Sequence, residues 1–328
     1  MEYNIPPDYL PINLDSLRSN TLIGCDLYLL VSAAAANSRL VLYCRGDAVF
    51  ENTNRDMLVA KRIKNLFINK EDLQIYNDYL ENNFQDILSD NTIPLDQRTE
   101  IVQSAATNLL EDLYGDPGTA NVKRTMAFAY NMVDSILQDG NVAQSLLKLA
   151  VHKYDSNAHS INAAAVGTLF ARRTGLRPKA LKGLCSGILL RDVGMIKVST
   201  DILNKKGKLT KEEFEEIKKH PELGMEVLDQ TGIKFDEERI VTLQHHENAD
   251  GSGYPFGLKN NEIHHYGKIS RIIDVYNALT KKRVYADAVR PFVALAGMKE
   301  KMLNCFDLSM FKEFIRFLGS YDPRTVPR

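Results

Sequence analysis

The chain has 328 residues, a net charge of −1, and is 44% hydrophobic and 25% charged. At about 150 residues per domain, this length suits two domains rather than one. The even charge excludes a global basic field for a nucleic-acid polymer or an anionic membrane, and no apolar run approaches the roughly 18 residues of a membrane helix.

Residues 1–85 read as a small mixed α/β domain. Apolar stretches at 12–17 and 27–31 precede a strand-like run at 39–44 (RLVLYC), which ends in the turn signal Arg45-Gly46-Asp47. Phe67 and Ile68 suggest another short strand, with helices near 54–65 and 70–82. From Leu95 onward apolar residues recur at three and four, which predicts helices over 95–113 and 122–138 with a break at 115–118 (GDPG). Residues 86–144 read as a helical connector, a candidate for homodimer formation. Helices follow at 142–153, 157–174 and 178–194, with Pro178 suited to a first turn. Thr210 and Glu213 form a capping box ahead of the next helix. Helices at 260–279, 292–303 and 308–318 complete the chain. The fold class is mainly α.

Cys25, Cys44, Cys185 and Cys305 are scattered, without a CxxC pair, which argues against a zinc ribbon or a disulfide scaffold. The N-terminal residues lack a basic segment followed by an apolar one, so a cytoplasmic location is expected.

Histidine is scarce, seven in the chain, and three of the seven are His220, His245 and His246. Neighbouring residues on a helix point about 100° apart. At a helix end, however, the second of a His-His pair can swing back toward the same centre. Imidazoles with a carboxylate such as Asp192 suit iron, manganese or zinc. A His-His pair alone is more often a solvated helix end. His264-His265 is read that way, and His152 as a helix-surface residue.

Five segments carry more. They are YDSNAHSINAA at 154–164, GILLRDVGMIK at 187–197, NKKGKLTKEEFEEIKKH at 204–220, HHENADGSGYPFGL at 245–258 and KISRIIDVYNALT at 268–280. In this order, residues 145–328 resemble the HD-GYP family of metal phosphohydrolases. The resemblance implies a bundle of about seven helices around two or three iron or manganese ions. It also implies hydrolysis of cyclic di-GMP, with the ions polarising a phosphoryl oxygen and holding the attacking hydroxide. By the same resemblance Asp192 bridges two metals, and His220, His245 and His246 complete one of them. His159, Asp274 and position 191 complete the other, Asp155 stands where some members recruit a third ion, and Arg283 meets substrate phosphate. Gly251, Gly253, Tyr254 and Pro255 match the loop that names the family, which shapes the site and offers a surface to a protein partner.

Four positions depart from the family pattern. Arg191 replaces the His of the HD pair, Met195 a substrate-binding Lys, Asn277 an Asp, and Ala286 a basic residue. A guanidinium has no lone pair to give a metal. Two carboxylates about 4 Å apart repel by roughly 4 kcal/mol at an effective dielectric near 20, so something positive must sit among Asp192, Asp274 and Asp155. Arg191 either turns inward and replaces the second metal or turns outward and leaves a weak second metal; one ion is expected, with two as the alternative. The expected function is metal-binding signalling directed at cyclic di-GMP, with phosphodiesterase activity weakened or lost. An active phosphodiesterase, a hydrolase of another nucleotide and a protein-interaction scaffold are the alternatives.

Overall fold

The computed structural model describes residues 5–32, 38–152, 159–280 and 290–320. Asp155, Arg283 and Ala286 lie outside them. The chain divides into two compact units, Met1–Ala105 and Ala106–Arg328.

The first unit contains strands β1 (Tyr9–Asn13), β2 (Thr21–Leu22), β3 (Leu27–Ser32), β4 (Ser38–Cys44), β5 (Val49–Phe50) and β6 (Asn65–Asn69). Its helices are α1 (Asn52–Ala60), α2 (Leu73–Asn82), α3 (Phe84–Ser89) and the start of α4 (Leu95–Gly115). The expected strand at 39–44 is β4, which closes an antiparallel sheet of order β1-β6-β3-β4; β2 and β5 form a separate pair. β1 escaped the sequence reading because Pro11 interrupts its apolar pattern, yet its register with β6 pairs Pro11 with Phe67. Leu17, Leu27, Phe50, Leu66 and Ile68 are the inner residues. The helix expected at 54–65 runs instead over Asn52–Ala60, because the chain must extend again into β6.

The second unit is helical: the end of α4, then α5 (Thr119–Gln138), α6 (Gly140–His152), α7 (His159–Arg173), α8 (Pro178–Leu190), α9 (Thr200–Leu203), α10 (Lys211–Ile217), α11 (His220–Asp229), α12 (Glu237–Gln244), α13 (His265–Thr280), α14 (Pro291–Lys301) and α15 (Leu308–Ser320). α8 is buried from Gly183 to Leu190, as a central helix must be, with its lysines confined to the first turn and a half. It packs on α5, α7 and α12, while α13 packs on α7 and α12. α7 is small-residue-rich and buried from Ile161 to Ala171, which lets its neighbours approach closely.

The capping box forms as expected: Thr210 Oγ1 accepts from Glu213 N, and Glu213 Oε2 accepts from Thr210 N. Three boundaries differ most from the sequence reading. The helix begun at Pro178 stops at Leu190 and gives way to a 3₁₀ turn over Val193–Lys197. His220 opens α11 rather than closing a charged helix, with Pro221 in its first turn. The helix expected from 260 starts at His265, since Glu262 Oε2 accepts from Lys259 N and folds the preceding residues into a turn. No helix among the described residues is long and apolar enough to cross a membrane.

Candidate metal centre

Where α8 ends, the chain turns at Arg191 and Asp192 and enters the 3₁₀ turn that lies on α11. Gly194 makes that contact: a Cβ there would stand 2.0 Å from the His220 carbonyl oxygen and 2.4 Å from Gly224 N. This approach brings Asp192 beside His220. The C-terminal end of α12 delivers His245 as its cap, followed by His246.

One ligand atom from each of Asp192, His220, His245 and His246 lies within 4.8 Å of every other. His220 Nε2 and His245 Nε2 are 3.1 Å apart, and each is 3.6 Å from Asp192 Oδ1. Metal–nitrogen bonds of about 2.0–2.1 Å place adjacent ligand atoms roughly 3 Å apart. The opposite ring nitrogens are already engaged: His220 Nδ1 lies 2.7 Å from Ile217 O, and His245 Nδ1 lies 2.9 Å from Thr242 O. Donation from Nδ1–H to these carbonyls assigns the tautomer that turns each Nε2 lone pair inward.

Electrostatics favour neutral imidazoles at His220 and His246. Burial, reinforced by His245, lowers the pKa of His220, and burial with His245 and His220 holds His246 well below its usual value. Burial alone would raise Asp192, but the Arg191 guanidinium, the largest opposing influence, keeps that carboxyl far down. Neutral imidazoles beside an ionised carboxylate are the donor set a divalent cation requires, so the residues fit a metal.

Arg191 turns inward. It is 1% exposed, with Nε 3.2 Å from Asp192 Oδ2 and Nη2 3.4 Å from Asp274 Oδ1. Only Nη1 is aligned for a hydrogen bond, donating to Ile188 O at 3.2 Å; Nε and Nη2 meet their carboxylates as charges. Burial opposes the charge, but Asp192, Asp274 and the Tyr114 hydroxyl outweigh it and raise the guanidinium pKa. Asp274 also lies 3.5 Å from His246 Nδ1 and 3.8 Å from Arg271 Nη1.

His159 and Asp274 stand outside the group of four. His159 opens α7, and its carbonyl accepts from Asn277 Nδ2 at 2.7 Å. Tyr254 stacks on His246 with centroids 4.6 Å apart. Gly253 admits the loop backbone, since a Cβ there would meet Asn248 N at 2.2 Å. Met195 lies half-buried in the 3₁₀ turn. His264 and His265, at the start of α13, lie away from the cluster.

Three further residues escaped the sequence reading. Glu247, 1% exposed, accepts from Phe256 N at 2.7 Å and from Leu258 N at 2.8 Å, pinning the loop after the His-His pair. Arg271 donates from Nε to Asn248 Oδ1 at 2.8 Å. Its position one turn before Asp274 was a usable signal. Tyr114, at the end of α4, hydrogen-bonds Ser160 and faces Arg191 and Asp192, a contact no local motif announces.

Fold and site together define a helical, carboxylate–histidine metal-binding protein. Residues 141–310 match the model of the HD domain family. A cyclic di-GMP phosphodiesterase of Pseudomonas aeruginosa is 32% identical over 203 residues, 60% of this chain and 48% of that protein. A cyclic di-GMP phosphodiesterase response regulator of Xanthomonas campestris is 34% identical over 143 residues, 43% of this chain and 38% of that protein. A 3'3'-cGAMP-specific phosphodiesterase of Vibrio cholerae is 34% identical over 134 residues, 40% of this chain and 26% of that protein. The chain thus spans half or less of these relatives' length. A solved HDG"Y"P protein from Bdellovibrio bacteriovorus shares the fold, with a TM-score of 0.63 at 20% identity over 95% of this chain and 100% of that one. The chain belongs to the HD domain family.

Proposed function

We propose that the chain is an HD-GYP-type signalling protein directed at cyclic di-GMP, holding one iron or manganese ion and retaining weak phosphodiesterase activity or none. Asp192, His220, His245 and His246 hold that ion; zinc fits the same donors. When bound, the ion supplies Lewis acidity to a phosphoryl oxygen. The observation that carries the one-ion reading is the Arg191 guanidinium buried between Asp192 and Asp274. It puts a fixed positive charge where Asp274 and His159 would otherwise contribute to a second ion. Tyr254 and Gly253 shape the rim, and Arg283 and Asp155 are carried only by the sequence resemblance.

The test is anaerobic purification with elemental analysis, followed by linearisation of cyclic di-GMP with added manganese or ferrous iron. One ion per chain with slow or absent turnover is expected. Two ions per chain would sink the role given to Arg191. The grouped ligands favour a second reading, an active metal-dependent phosphodiesterase; fast turnover abolished by Asp192→Ala would establish it.

Residues 1–85 serve as the input domain, 86–144 as the connector and homodimer contact, and 145–328 as the metal-binding domain of a cytoplasmic protein. The loop around Tyr254 offers a surface to a protein partner.

A further inference from the structure

Lys218 occupies a position that the ligand cluster does not explain. It caps α10, two residues before His220, so the main chain anchors its backbone close to the cluster. Its ammonium lies 5.1 Å from the centroid of Phe214 and 5.9 Å from that of Tyr254. The Tyr254 ring in turn stacks on His246. One aromatic ring therefore separates this cation from the cluster.

Its acidic partner holds it weakly. Lys218 Nζ lies 2.7 Å from Glu215 Oε1, but the Glu215 side chain is 64% exposed. An i,i+3 pair in that much water contributes little, and an incoming anion can replace it. The rings give directional support, and the Lys218 side chain remains 31% exposed. Phe214 is itself 45% exposed, an apolar ring spent on solvent one helical turn from Lys218. A cation between aromatic faces beside a metal-ligand cluster suits a nucleotide: phosphate meets the ammonium while a base stacks on the open ring.

We propose that Lys218 is a substrate-contacting residue that receives a phosphate of the bound cyclic dinucleotide, and that Phe214 is the stacking surface for one of its bases. This deepens the cyclic di-GMP reading and rests on it.

The test is calorimetric titration of the manganese-loaded full chain with cyclic di-GMP at two salt concentrations, with metal content measured for each variant. Lys218→Met is expected to weaken binding about tenfold and to flatten its salt dependence, because a phosphate contact is lost. Lys218→Arg is expected to restore most of both. Phe214→Ala is expected to weaken binding about tenfold through lost stacking while leaving the salt dependence alone. Wild-type affinity in Lys218→Met with metal retained overturns the phosphate role, and wild-type affinity in Phe214→Ala overturns the stacking role. Loss of metal from Lys218→Met would make its role structural and overturn the proposal. If the wild-type protein binds no cyclic di-GMP, the parent reading fails and this one falls with it; if the wild type binds and the variants match it, only this one fails.

Discussion

Gly194 and His220 touch backbone to backbone, so closely that a Cβ on Gly194 would stand 2.0 Å from the His220 carbonyl oxygen. Neither atom belongs to a flexible side chain. The turn carrying Asp192 and the helix opening on His220 are therefore held in register by the absence of a methyl group.

Gly194→Ala should separate them. The prediction is a metal affinity lower by at least about tenfold, the size of effect seen when groups that orient ligands are disturbed. Manganese at 100 times its dissociation constant should stabilise the wild type by about 2.7 kcal/mol and the variant by less at the same concentration. Thermal unfolding with and without manganese measures both. An unchanged response would show that the backbone contact does not position the ligands.

Arg191→Met should leave Asp192 and Asp274 facing each other without their shared cation. Breaking a buried ion pair costs about 3–5 kcal/mol, read as a lowered unfolding midpoint in chelator. Arg191→His should be similarly unstable in chelator but recover with manganese and bind two ions per chain by elemental analysis. A single ion in that variant would mean that Asp274 and His159 do not make a second site.

Glu247→Gln should loosen the loop while leaving the four candidate ligands in place. The carboxylate accepts two main-chain N–H groups, whereas an amide presents a donor to one of them. The cost is about 1–3 kcal/mol. Faster hydrogen exchange at the Phe256 and Leu258 amides, with metal content unchanged, is the expected result.

Asp307 ties the start of α15. Burial would raise its pKa, but Ser309, the Met310 amide, Asn260 and Lys268 outweigh it and hold the carboxyl far below its usual value. A depressed folded-state pKa contributes stability above the unfolded value of about 3.9 and loses it as pH falls toward the folded value. Asp307→Asn keeps an acceptor for the Ser309 and Met310 amides but removes the charge, so it should cost about 0.3–1 kcal/mol at neutral pH, the range for an anion at a helix N-terminus, and the difference from wild type should shrink on acidification below about pH 4. Unfolding midpoints at both pH values check it; a difference constant with pH would exclude the charge as the cause.

The helical class and most helices of the second unit were legible because they bury continuous apolar faces, as α7 and α8 do. β1, with Pro11 inside it, was not, since its place depends on pairing with β6 far along the chain. The proximity of Asp192, His220, His245 and His246 was legible from a motif. The inward turn of Arg191 is not legible in the sequence, because a long side chain at a helix end can go either way. Tyr114 carried no signal, since its contact with Ser160 spans two distant helices. Lys218 lay within a charged run that reads equally well as a solvated face.

The cation between Asp192 and Asp274 is part of the polypeptide. A chelator cannot strip it, oxygen cannot change its valence, and scarcity of iron cannot empty it. Occupancy of the remaining cradle should then follow free metal concentration as a simple one-site curve with unit Hill slope. The protein would track metal supply proportionately instead of switching on at a threshold.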